Sequence, residues 1–112
     1  MNKFEAKVIA HENGWAEGLG HSMLNPKYRV KVPTGELVLY LNIGYELSTD
    51  TPEDGATLEL QHWKPSTAHP SVASRDCCLT YMTESRFIEW LENTASELIA
   101  LGLKESEHGT LP

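Results

Sequence analysis

Residues 61–78 read QHWKPSTAHPSVASRDCC, with two histidines, a tryptophan and two cysteines in one short stretch. These side chains can ligate metals or act as nucleophiles and bases. A zinc site needs three or four Cys, His or carboxylate ligands converging on a tetrahedron. His62, His69, Asp76 and Cys77 are the candidates. Their spacing, H-x6-H-x7-C, matches no compact finger or knuckle, and neither CxxC nor HExxH occurs. A catalytic pair would join Cys77 or Cys78 to His62 or His69. A reactive cysteine needs an electropositive, partly exposed setting. Arg75 would supply charge, but Asp76 offsets it. No catalytic residue, metal ligand or cofactor is assigned on these grounds, and the balance leans away from an enzyme.

Other constellations are weaker still. His11 and Glu12 are adjacent, so on a strand they point to opposite faces and form no dyad. The run GLGH at Gly18–His21 lacks the Lys-Ser/Thr of a phosphate loop and the GxGxxG of a dinucleotide turn. The run KYRVK at Lys27–Lys31 is basic with one tyrosine, as a nucleic-acid platform would be. Strand alternation, however, turns Tyr28 away from Arg29.

Charge argues against that platform. The chain of 112 residues carries a net charge of −7. Residues 1–35 hold five cations and three carboxylates, whereas residues 36–112 hold four cations and thirteen carboxylates. An acidic balance disfavours nucleic acid and anionic membranes and leaves a basic protein as the natural partner. No apolar stretch approaches the ~20 residues of a membrane span. The first residues, MNKFEAKVIAHE, have no apolar signal region. Cys77 and Cys78 are adjacent and cannot form an unstrained disulfide. A reducing, cytoplasmic setting is the expectation.

The elements that must position these residues follow from periodicity. Phe4, Ala6, Val8 and Ala10 alternate with Glu5, Lys7, Ile9 and His11, which reads as a strand. Asn13-Gly14 is a hairpin-turn signal. The segment Trp15–Pro26, with Gly18 and Gly20, reads as a loose strand or irregular loop. Tyr28, Val30 and Val32 alternate in a further strand, and Pro33–Glu36 is a turn. Leu37, Leu39, Leu41, Ile43, Tyr45 and Leu47 form one unbroken apolar face, the predicted centre of the sheet. In ATLELQHW, Leu58, Leu60 and His62 point inward and Thr57, Glu59, Gln61 and Trp63 outward. The run KPSTAHPSVASR reads as a long loop, and DCCLTYM as the last strand.

The period then switches. Thr83 is a predicted N-cap, and Phe87, Ile88, Leu91, Ala95, Leu98 and Ile99 recur at helical spacing. Gly102 is the predicted C-cap. The expected architecture is α+β: an antiparallel sheet of about five strands with one C-terminal helix across one face. Residues 1–103 form the single domain and residues 104–112 a polar, frayed tail.

Half-exposed tryptophan and tyrosine are the residue types that anchor interfaces. Trp63, Trp90, Tyr40 and His69, together with Glu89, Glu92 and Glu97, are therefore the candidate binding residues. The leading reading is a non-enzymatic interaction module. It is an acidic binder, adaptor or inhibitor acting on a basic protein, a profile shared with accessory proteins of phage and mobile elements. Contact would run through Glu84, Glu89, Glu92 and Glu97 or the Asp50–Asp54 loop. The second is a small-ligand pocket between helix and sheet, or across a homodimer, lined by Trp63, Trp90, Tyr40 and Tyr45. The third is a Cys/His- or metal-dependent enzyme. A homodimer is also expected, because an open sheet has two edges to protect.

Overall fold

A computed structural model describes residues 1–17, 22–44, 55–65 and 68–112. Tyr45, the Asp50–Asp54 loop and the GLGH run lie outside those residues. The chain runs α1 (Lys3–Glu12), β1 (Ala16–Glu17), β2 (Ser22–Val32), β3 (Gly35–Ile43), β4 (Gly55–Trp63), β5 (Ser71–Cys78) and α2 (Glu84–Glu107). The strands form an antiparallel meander in the order β1-β2-β3-β4-β5, and β1 is only a two-residue stub beside four long strands. The α+β class and the C-terminal helix across one face are as expected. Among the described residues, no helix is long and apolar enough to cross a membrane.

The first element is a correction. Residues 3–12 form a helix, not a strand. The sequence KFEAKVIAHE fits both periods, since Ala6, Ile9 and Ala10 also recur at helical spacing, and these three are the residues buried. The Asn2 side chain accepts from the Glu5 backbone N–H at 2.9 Å, an N-cap that only a helix uses. Asn followed three residues later by Glu is the matching sequence signal. Alanine, lysine and glutamate also favour helix over strand.

Two strand boundaries move as well. The end of the loose segment, Ser22–Pro26, belongs with Tyr28 to one long strand, β2, with a register shift between Leu24 and Arg29 that absorbs Pro26. There Asn25, almost fully buried, accepts from the Lys27 N–H at 2.9 Å. β5 begins at Ser71, so the end of the predicted loop, Ser71–Arg75, is strand and DCCLTYM is mostly not. β5 is an edge strand with little buried surface, and its small polar residues carry no apolar signal. Beyond it Leu79 is buried, and Tyr81 sits at φ 67 in a turn.

The core lies between the sheet and the helices. Leu37, Leu39, Leu41 and Ile43 of β3 pair in register with His62, Leu60, Leu58 and Ala56 of β4, so all face one side. α2 covers them with Phe87, Leu91, Thr94, Ala95, Leu98 and Gly102. Each fully buried leucine contributes about 1.5–3 kcal/mol relative to exposure. Trp15 is buried in the same core and stacks on Tyr28 at 6.0 Å. The Thr83 side chain caps α2 by accepting from the Arg86 N–H.

Gly102 does not end α2, which continues to Glu107 and caps at His108. Its role is close approach. A Cβ on Gly102 would meet Leu60 Cδ2 at 2.7 Å and Leu37 Cδ1 at 2.9 Å. Past the helix, the Pro112 oxygen accepts from His62 Nδ1 at 2.9 Å, while Thr34 Oγ1 lies 2.8 Å from Nε2. A carbonyl only accepts, so Nδ1 carries the proton, and for a neutral ring the Thr34 hydroxyl donates to Nε2. His62, at 1% exposure, is a satisfied core residue.

Helix propensity alone predicts that Gly102→Ala stabilises by about 1 kcal/mol. Because the new methyl must displace two buried leucines, the expected outcome is a net loss of about 1 kcal/mol. That is a fall of about 4–8 °C in thermal midpoint. Thermal denaturation checks it, and a raised midpoint would refute the close-packing account.

Candidate functional site

Among the described residues, no helix lies on the sheet face turned away from α2. Alternation places Arg29 and Lys31 of β2, Glu36, Val38, Tyr40 and Asn42 of β3, and Thr57, Glu59, Gln61 and Trp63 of β4 on it. The tight turn at Pro33–Thr34 joins Val32 to Gly35 in register and brings Glu36 opposite Lys31. Gly35 is required at this turn. Its φ is 152, and a Cβ there would strike the Trp63 carbonyl oxygen.

One end of this face is an ordered aromatic and charged cluster. Arg29 makes a two-point ion pair with Glu36, Nη2 to Oε1 at 3.1 Å and Nε to Oε2 at 3.3 Å. Its guanidinium also lies 5.2 Å from the centre of the Trp63 ring. His69 stacks on Trp63 at 4.4 Å, and Tyr40 approaches it at 5.8 Å. Trp63 Nε1 donates to Gln61 Oε1 at 3.0 Å, and Gln61 Nε2 donates in turn to Glu59 Oε1. The indole is therefore fixed by its neighbours and its N–H. Val38 on this face is fully buried. Burial pushes the Tyr40 phenol up, and Arg29 partly opposes the rise. The other end of the face is polar, with Ser22 donating to Asn42 Oδ1 and Thr57 donating to Asp76 Oδ1 at 2.8 Å.

Of the predicted binding residues, Trp63, Tyr40 and His69 are brought together. Trp90 is not. It lies on α2, on the far side of the sheet, half-buried and 6.2 Å from Phe87. A pocket between helix and sheet lined by Trp63, Trp90 and Tyr40 is therefore not formed. Glu89 and Glu92 are exposed on α2, while Glu97 pairs with Arg75 at 3.1 Å. Arg29 and Glu36 were missed as site residues. A two-residue hairpin at Pro33–Thr34 sets them diagonally opposite, but the turn alone did not fix their link to Trp63, which comes from β4.

The reactive-looking stretch is dispersed. His62 and Trp63 end β4, whereas Cys77 and Cys78 pair with Ala56 and Gly55 at its other end. Six residues of strand separate the two places by about 20 Å. His62 faces the core and His69 the open face. Among the described residues, no three His, Cys, Asp or Glu side chains gather as a metal site would need. No protein-family model, curated protein or solved structure matches this chain.

The two thiols differ sharply. Burial pushes Cys77 up to about 12, with Cys78 and Asp76 adding to the rise against one backbone hydrogen bond. Cys78 is exposed. Only a thiolate reacts, so iodoacetamide near pH 8 should modify Cys77 at least roughly 100-fold more slowly than Cys78. The fold prefers the neutral Cys77 thiol. Its contribution to stability is therefore complete below the ordinary value of 9.0 and lost as pH rises toward 12. Mass spectrometry of the alkylated protein checks the prediction, and equal rates at both cysteines would contradict it.

Proposed function

We propose that this chain is a non-enzymatic protein-binding module that docks its partner on the face of the sheet turned away from α2. The observation carrying the reading is the fixed cluster of Arg29, Glu36, Tyr40, Trp63 and His69 on that face. Aromatic and arginine side chains held in place before binding lose little entropy on association and are the residue types that dominate interface energies. The net charge of −7 favours a basic partner, with Glu89 and Glu92 adding long-range attraction from α2.

The test is affinity capture from lysate of the native host at low and high salt. Wild-type protein should retain a protein partner, more weakly at high salt. Trp63→Ala should cost at least about 2 kcal/mol, roughly thirtyfold in affinity. His69→Ala, at an exposed position, should weaken capture without changing the thermal midpoint. Glu89→Gln with Glu92→Gln should alter mainly the salt dependence. If neither salt condition retains a partner, or if Trp63→Ala captures as wild type does, the reading fails.

A second reading has its own observation. An open cleft of about 500 Å³ lies beside Trp63 and His69, floored by the Pro33–Gly35 turn. A small ligand bound there would raise the thermal midpoint in a screen. The gain would disappear in Trp63→Ala.

A further inference from the structure

On the other side of the molecule, α1 leaves apolar surface uncovered. Phe4 is 66% exposed and Val8 58%, one helical turn apart on the same stripe. Ala6, Ile9 and Ala10 point into the core, so α1 is apolar on two sides. A helix that needed only to cover the sheet would carry polar residues at positions 4 and 8. Phe4, Val8 and Ile9 of α1 line a groove of about 700 Å³ together with Met1, Met82 and Thr83. Tyr81, next in the chain to Met82, is 95% exposed and holds a left-handed backbone conformation. Three of the four large exposed hydrophobic side chains among the described residues thus lie at this end.

Apart from the Met1 amine, which donates to the Leu79 and Met82 carbonyls, the charges of the groove are of one sign. Every charged side chain lining it is a carboxylate: Glu5 and Glu12 from α1, and Glu84 from the start of α2. Helical geometry puts Lys3 and Lys7 on the opposite flank of the Phe4–Val8 stripe, and the Lys3 amine lies 5.4 Å from the centre of the Phe4 ring. Apolar side chains interspersed with carboxylates repel an anionic lipid surface and complement an apolar stripe flanked by cations.

We propose that this groove docks an amphipathic helix of a partner protein, with its apolar stripe against Phe4, Val8 and Met82 and its lysines or arginines against Glu5, Glu12 and Glu84. Helix-in-groove recognition reads apolar anchors at i, i+3 or i+4, and i+7. Phe4 and Val8, one turn apart, match adjacent anchors of such a helix. The surface lies on the helix side of the sheet and is independent of the Trp63 cluster.

The probe is a synthetic amphipathic helix of about 14 residues, with leucines at i, i+3, i+4 and i+7 and lysines on its flanks. A second peptide keeps the leucines and carries glutamates instead. Binding to the full chain is read by fluorescence anisotropy at low salt and mapped by backbone amide chemical shifts. The lysine peptide should bind at least tenfold more tightly than the glutamate peptide, with shifts confined to residues 4–12 and 82–84. Phe4→Glu with Val8→Glu, both at exposed positions, should weaken it at least tenfold. Glu5→Gln, Glu12→Gln and Glu84→Gln combined should remove most of the preference for lysine. Trp63→Ala should leave peptide binding unchanged, which separates this surface from the sheet face. The proposal is overturned by equal affinity for the two peptides, by shifts that map elsewhere, or by unchanged binding in the Phe4/Val8 variant. It is equally overturned if sedimentation shows a dimer that Phe4→Glu dissociates, since the groove would then be filled by a second copy.

Discussion

Gly102 lets the backbone of α2 descend onto Leu37 and Leu60, and the remaining layout depends on that contact. A side chain at this position would hold the helix off the sheet and open space that the leucines of β3 and β4 could not fill. With the helix seated, Leu37, Leu39, Leu41, Leu58 and Leu60 become fully buried, and α1 and Trp15 complete the core beside them. The contact also decides which face of the sheet is left open. Because β3 and β4 are locked in register, sealing one set of alternate residues commits the other set to the outside.

The open face is nevertheless not a plain solvated surface. Val38 is fully buried there. Trp63 has His69 stacked on it, Arg29 and Tyr40 nearby, and its N–H satisfied by Gln61. The Arg29–Glu36 pair is about one-third exposed, so its Coulombic contribution to stability is small, about 1 kcal/mol at most. Its larger effect is geometric, since the two-point contact fixes the guanidinium near the indole. Order of this kind is what distinguishes the cluster from the polar end of the same face.

The histidines and cysteines that attract notice in the sequence have structural explanations of different kinds. His62 fills a core position and joins the Thr34 turn to the residues after α2. His69 supports Trp63. Cys77 is a half-buried thiol held protonated, and Cys78 lies outside on an edge strand. Closeness in sequence counted for little, because a strand separates residues by more than 3 Å each and sends neighbours to opposite faces. The apolar surface of α1 is the converse case. Phe4 and Val8 look unremarkable in sequence and are among the most exposed hydrophobic residues in the described structure.

What the sequence determined by itself were the features with strong local signals. The alternating run of β3, the inward set of β4 including His62, and the Thr83-capped stripe of α2 were legible because long, strictly periodic apolar patterns have one reading. The α+β class followed from them. Its local signals were ambiguous where two periods fit the same residues, as in α1, and silent where a strand buries little, as in β5. Only the tertiary structure decided that Gly102 is a contact point and not a helix end, since that depends on two leucines about 40 and 65 residues away in the chain. It alone joined Arg29, Glu36, Tyr40, Trp63 and His69 and left Trp90 on the far side. Cross-strand register and helix placement bring distant residues together, and neither is written in the spacing of any one segment.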